Sequence, residues 1–275
     1  MDSVELEQLF KTPHPMIGVI HLLPLPGSAG WQGSLTTVVE RAIQEATALA
    51  SGGAHALIVE NFFDVPFAKN RVDPAVVSAV SLVVERLRHL VPLPIGINLL
   101  RNDAHSALAV AACTGAQFIR VNVLTGVMAT DQGLIEGQAH TLMRYRRELG
   151  RDVKVFADVL VKHAVPLGTP NLTTAVQETL HRGLADAVIV SGWATGSPPP
   201  REELALAKVA AGSAPVLIGS GATVENIEDL ILAADGVSVS SALKRRGQIE
   251  QPIDPSRVRQ FMGAMGRGIA DRKPH

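Results

Sequence analysis

With 275 residues, 47% hydrophobic and 19% charged, the chain has ample material for a large core, which argues against global disorder. A formal net charge of -1 argues against the broad cationic footprint of a nucleic-acid-binding protein. No apolar run reaches the roughly 18 residues a membrane-spanning helix needs, so only peripheral membrane contact stays open. The N-terminus Met-Asp-Ser-Val-Glu-Leu-Glu lacks the order of a secretory signal, and a cytoplasmic protein is expected. The single cysteine, Cys113, sits among small apolar residues; no intramolecular disulfide or cysteine-based zinc cluster can form, and a buried core thiol is expected.

After a short helical lead-in, residues 16–21 form an apolar run closed by Pro24, Pro26 and Gly27, which predicts the first strand. Helical periodicity through Val38, Val39, Ala42, Ile43, Ala46 and Leu49 predicts a helix over residues 34–51, stopped by Gly52-Gly53. Residues 54–60 read as the second strand. Asp73-Pro74 then places a capping side chain before a proline at the first helical position. The third strand spans 94–99, and its helix runs from Asp103 to Gly115.

Residues 117–131 are the pivot. Ile119, Val121 and Val123 share one parity and Arg120 and Asn122 the other, so a charge and an amide face away from the apolar layer. Covered by helices in an open sheet, those groups would be buried at high cost. In a closed parallel barrel they stand at the carboxyl-end mouth, where ligands bind. A structural salt bridge inside the barrel is the alternative reading.

Beyond the pivot, a helix is expected from near Gly133 to Gly150 and a strand over 153–161. Asn171 caps a helix that Gly183 stops, and residues 187–191 form a strand. A helix from Arg201, a strand over 215–219, a helix from Thr223, a strand over 236–240 and a last helix from Asp254-Pro255 complete the pattern. Eight β-branched runs alternate with helices at spacings of roughly 20 to 40 residues. The expectation is a single (β/α)8 TIM barrel over residues 1–275, with a frayed tail from about 268; a doubly wound sheet is the rival.

The turns after the last two strands, Gly219-Ser220-Gly221 and Ser240-Ser241, have the composition and fold position of a phosphate site. Ser191 and Gly192, ending the sixth strand, are candidate substrate ligands beside them. The remaining strand ends carry a polar ring: His21, Glu60, Asn61, Asn98, Arg120, Asn122, Asp158, Lys162 and His163. Glu60 and Asp158 are the candidate acid and base, because carboxylates ending apolar strands need a partner or a ligand. Arg120, Asn98 and Asn122 would orient substrate or stabilise negative charge. Lys162 reads equally as an amine nucleophile or a solvated loop residue, and His21 as a catalytic or a structural histidine. Phe62 and Phe63 beside Asp64, and Trp193 in the sixth loop, could wall a ligand; Asp131-Gln132 could close as a lid.

No nucleotide-cofactor motif or HExxH helix is present. His21, Glu60, Asp158 and His163 could form a mixed oxygen/nitrogen site for a divalent metal, but their spacing is not a recognised ligand motif, so a metal is unsupported and the cofactor is left open. A small phosphorylated molecule is the expected partner, with a homo-oligomer as the default assembly.

Several segments together resemble the BtpA/SgcQ family: residues 18–28 (GVIHLLPLPGS), 59–67 (VENFFDVPF), 96–103 (GINLLRND), 118–126 (FIRVNVLTG), 157–163 (ADVLVKH) and 187–196 (AVIVSGWATG). The resemblance is collinear from about residue 16 to residue 247. It implies a barrel close in architecture to ribulose-phosphate-binding barrels. It also implies two functional settings, photosystem I accumulation in the cyanobacterial branch and sugar utilisation in the SgcQ branch. Phe63 and the Ser240-Ser241 pair depart from the family pattern, which more usually has a small residue and Gly-Ser at those places.

Overall fold

The computed structural model describes residues 1–168, 171–192 and 196–271. In chain order, α1 (Ser3–Phe10) leads to β1 (Met16–His21), α2 (Leu35–Gly52), β2 (Ala56–Glu60), α3 (Pro74–Arg88), β3 (Ile95–Asn98), α4 (Ala104–Thr114) and β4 (Phe118–Val121). Two antiparallel strands follow, β5 (Val127–Thr130) and β6 (Gly133–Glu136), then α5 (Ala139–Leu149), β7 (Lys154–Val159) and the short β8 (Ala164–Pro166). The chain finishes with α6 (Leu172–Gln177), β9 (Ala187–Val190), α7 (Arg201–Ala211), β10 (Val216–Ile218), α8 (Ile227–Leu230), β11 (Gly236–Val239) and α9 (Pro255–Ala270). Strands β1, β2, β3, β4, β7, β9, β10 and β11 pair in that order, all parallel, and β11 returns to β1 to close a TIM barrel. Among the described residues no helix is long and apolar enough to cross a membrane.

Strand parity divides the labour. Ile20, Val59, Ile97, Ile119, Val155, Val188 and Ile218 point outward beneath the helices, while Ile17, Val19, Ile58, Phe118, Phe156, Ile189 and Leu217 fill the barrel. Helix α1 closes the amino end, held by a capping box in which the Asp2 and Glu5 side chains accept reciprocal backbone bonds. Leu6 and Phe10 are buried there, Phe10 meeting Phe118 edge-on at 5.5 Å. Burial stabilises each such side chain by about 1.5–3 kcal/mol. Gly96 makes room for that layer, since a Cβ would stand 2.2 Å from the Phe118 ring. Further along the same inner parity the apolar residues give way to His21, Glu60, Asn98, Arg120, Asp158 and Ser191, all buried.

The predicted caps occur. Asp73 accepts from the Ala75 N–H at 2.8 Å, Asp103 from Ser106 at 3.0 Å, Asn171 from Thr174 at 2.8 Å and Asp254 from Ser256 at 2.8 Å. Three expectations are corrected. The helix predicted from Gly133 begins only at Ala139: residues 127–136 form a hairpin whose inward residues Met128 and Ile135 are paired, and β8 adds a third strand. Asp131-Gln132 is the turn of that hairpin. Cys113 is exposed, because it lies two residues, about 200°, around the helix from buried Ala111. The helix expected from Thr223 is cut to Ile227–Leu230, its start taken by a turn in which the Asn226 Oδ1 accepts from the Thr223 N–H at 2.7 Å. Trp193 and the tail beyond residue 271 lie outside the described residues.

Candidate active site at the carboxyl end of the barrel

The register of the first three strands aligns His21, Glu60 and Asn98 side by side. Asn98 donates from Nδ2 to Glu60 Oε2 at 2.6 Å, which fixes one carboxylate oxygen, and His21 Nε2 lies 3.8 Å from the other. The His21 ring stacks on Phe62 at 4.0 Å, with Phe63 edge-on at 6.3 Å. Burial, reinforced by the positive charges of Lys244, Lys162 and Arg120, pushes the His21 pKa well below the ordinary imidazole value. At neutral pH it is therefore an uncharged ring, and its buried Nδ1 has no partner among the described residues.

Arg120 and Asp158 form a bidentate pair, Nε to Oδ2 at 2.9 Å and Nη2 to Oδ1 at 2.8 Å, and Asn122 Nδ2 donates to the same carboxylate at 2.9 Å. Burial opposes the guanidinium charge, but the Asp158 charge and hydrogen bonds outweigh it and hold the pKa above its ordinary value. Arg120 is thus a fixed cation. Asp158, expected beside Glu60 as an acid or base, has both oxygens engaged by Arg120 and Asn122.

The loops after these strands brace one another. Asn61 accepts from the Leu100 N–H at 2.7 Å and donates to Asp64, whose other oxygen accepts from the Leu25 N–H at 2.7 Å. Arg101, which sequence reasoning passed over, donates to the carbonyls of Lys162 at 3.2 Å and His163 at 3.3 Å and reaches the hairpin turn at Asp131. It stands three residues beyond the end of the third strand, so extending the polar ring into the loop would have found it. Burial, with help from Arg120, lowers the Lys162 pKa.

A cavity of about 290 Å³ joins His21, Glu60, Phe62, Arg120 and Lys162 to the turns Gly219-Ser220-Gly221 and Ser240-Ser241. The N–H groups of Ser220, Gly221, Ser241 and Ala242 donate to no acceptor among the described residues. Gly221 has φ +74°, and a Cβ there would meet the Ser197 backbone at 2.1 Å. A Cβ on Gly219 would stand 2.4 Å from Ser191 Oγ and 3.3 Å from Arg120 Nη2. Two of the three serine hydroxyls are occupied: Ser240 Oγ donates to the Val19 carbonyl at 2.8 Å and Ser220 Oγ to that of Ser197 at 3.4 Å, while Ser241 Oγ has no partner among the described residues. The turns therefore present chiefly backbone donors, with the Ser241 hydroxyl beside them. Arg257, whose Nε holds the Ala242 carbonyl at 2.8 Å, borders the same end; no sequence signal links two residues from a strand-end turn and the following helix.

Other candidates lie outside this cavity. Asn98 stands behind Glu60. Asn122 and Asp158 border a separate cavity of about 160 Å³. Ser191 and Gly192 border one of about 170 Å³ that also reaches Lys162. No group of three His, Cys, Asp or Glu side chains fit to hold a metal ion occurs among the described residues.

Comparison with known proteins agrees with this architecture. The BtpA family model matches residues 12–267. "Photosystem I biogenesis protein BtpA" of Synechocystis sp. is 66% identical over 269 residues, covering 98% of this chain and 94% of that protein. An uncharacterized protein of Thermococcus kodakarensis is 46% identical over 248 residues, covering 90% and 94%. Among solved structures, N-(5'-phosphoribosyl)anthranilate isomerase from Pyrococcus furiosus superposes with a TM-score of 0.53 at 17% identity, covering 92% of this chain and 99% of that one, a likeness of fold. The chain belongs to the BtpA family.

Proposed function

We propose that this barrel is an enzyme that binds a small phosphorylated, sugar-like metabolite and performs acid–base chemistry of the lyase, isomerase or aldolase type. The observation that carries the reading is the convergence, in one cavity, of unengaged N–H groups from the last two turns with Glu60, Lys162 and Arg120. Main-chain N–H groups at a glycine-containing turn are suited to phosphate oxygens. Glu60, with one oxygen held by Asn98 and the other directed to the cavity, takes and returns a proton. Arg120, held in place by Asp158 and Asn122, stabilises negative charge developing on a substrate oxygen. In this reading Asp158 positions Arg120 and leaves proton transfer to Glu60.

A thermal-shift screen of phosphorylated sugars tests it. At least one should raise the melting temperature, and Ser220→Asp, which sets a carboxylate against the phosphate, should abolish the shift. No stabilisation by any phosphorylated compound, or stabilisation indifferent to Ser220→Asp, would contradict the reading. It also takes the protein to be cytoplasmic and homo-oligomeric, the latter checked by light scattering.

The name of the Synechocystis relative favours a second reading, an assembly factor for photosystem I acting at a membrane surface. A cyanobacterial strain lacking the protein separates the two. If Glu60→Gln and Ser220→Asp variants restore photosystem I as well as the wild type does, that role is independent of the barrel mouth. If they fail while accumulating normally, the chemistry serves it.

A further inference from the structure

Lys162 stands where two cavities meet, bordering the 290 Å³ chamber with Glu60 and the phosphate-type turns and the 170 Å³ chamber with Ser191. Its Nζ makes no hydrogen bond or ion pair to any described residue. The segment carrying it is tightly set: Leu160 and His163 on either side have φ of 50° and 56°, and Arg101 clamps the carbonyls of Lys162 and His163. An amine so held, desolvated and next to a fixed guanidinium, has the surroundings that turn lysine into a nucleophile.

We propose that Lys162 forms an imine with the carbonyl carbon of a small phosphorylated aldehyde or ketone whose phosphate rests on the N–H groups of Ser220, Gly221, Ser241 and Ala242. The proposal rests on the phosphate reading above and names the substrate class of that site. The neutral amine adds its lone pair to the carbonyl carbon, and the carbonyl electron pair moves to oxygen, which receives the proton lost by nitrogen. Glu60, which has taken the proton released when the Lys162 ammonium became the neutral amine, then gives that proton to the hydroxyl. Water leaves as the nitrogen lone pair forms the carbon–nitrogen double bond of a cationic imine. That cation draws in electrons from a bond at the adjacent carbon, and Glu60, now a carboxylate, accepts the released proton. No oxidant or reductant is needed. Arg120, Arg101, Glu60, Asp158, His21 and His163 are the charged or titratable groups around the amine; burial and Arg120 outweigh Glu60 and Asp158 and lower its pKa, which raises the share of neutral amine.

Trapping with sodium cyanoborohydride tests this on the intact protein, with glyceraldehyde 3-phosphate, dihydroxyacetone phosphate and ribose 5-phosphate as probes and peptide mapping as the readout. At least one probe should add a single equivalent at Lys162, on the order of ten-fold or more faster than at any other lysine. The adduct should vanish in Lys162→Met and in the charge-retaining Lys162→Arg, each checked for folding by circular dichroism. The Lys162 rate should climb with pH to a plateau below the ordinary lysine pKa of about 10.4. No adduct with any probe, or labelling no faster than at exposed Lys11, would overturn the proposal. If the probes still stabilise the protein thermally, the imine alone falls. If unphosphorylated glyceraldehyde labels Lys162 equally well and Ser220→Asp changes nothing, the imine stands and the phosphate reading falls.

Discussion

Lys162 and Lys244 are both withdrawn from water, and they differ in what faces them. Lys244 lies in the outer wall, fully buried, its Nζ donating to both oxygens of Glu45 at 2.7 and 2.9 Å while Arg41 holds the same carboxylate at 2.8 Å. Burial pulls its pKa down and Glu45 pushes it back. Lys162 is half-buried at the barrel mouth, where burial also lowers its pKa, next to Arg120 and without a bonded carboxylate. The contrast teaches how the molecule divides its tasks. A buried amine in the wall is neutralised because an unpaired one costs stability; at the mouth that cost is tolerated where a ligand is expected to meet it.

The largest expected effect breaks the wall pair. Glu45→Ala strands Lys244 without its carboxylate and should cost about 3–5 kcal/mol in urea unfolding, whereas Glu45→Leu combined with Lys244→Met should return to within about 1 kcal/mol of the wild type or exceed it. A single variant as stable as the wild type would mean that the pair is not sealed. At the mouth the sign reverses. Lys162→Met removes an unpaired amine and should stabilise the protein by about 0.5–2 kcal/mol while ending the trapping reaction; a loss of stability would reveal a partner for the amine.

The smallest effect concerns His21, whose pKa is lower folded than unfolded. Below about pH 6.5 the unfolded chain binds a proton that the folded chain refuses, so stability is lost as pH falls from there towards the folded pKa. His21→Asn should flatten that acid limb relative to the wild type. His55 and His163 shift in the same direction and remain in both proteins, so the difference between the two curves isolates His21. Identical limbs would mean that His21 titrates alike in both states.

The barrel was legible because its strands are short β-branched runs between unmistakable caps, and because Arg120 and Asn122 alternate with Ile119 and Val121. That parity alone placed polar groups inside the mouth. Only the second strand of the hairpin, residues 133–136, reads as helix in the sequence, because Leu134 and Ile135 suit either period over so few residues. The deciding features are Gly133, with φ +90°, the local pairing of Met128 with Ile135, and the long-range pairing of the hairpin's first strand with residues 164–166. Within the site, strand ends pointed to Glu60 and Arg120 but could not tell that Asp158 is consumed by its neighbours. Arg101 braces the Lys162 segment across about sixty residues of sequence, a contact that only closure of the barrel brings about, and Arg257 reaches the cavity from the last helix.

The most direct test of the account is a crystal structure with glycerol 3-phosphate, which carries the phosphate but no carbonyl. The account predicts phosphate oxygens about 3 Å from the Ser220, Gly221 and Ser241 nitrogens, with the glycerol end directed towards Glu60 and Lys162. Both turns empty at saturating ligand, or the phosphate bound elsewhere on the molecule, would contradict it.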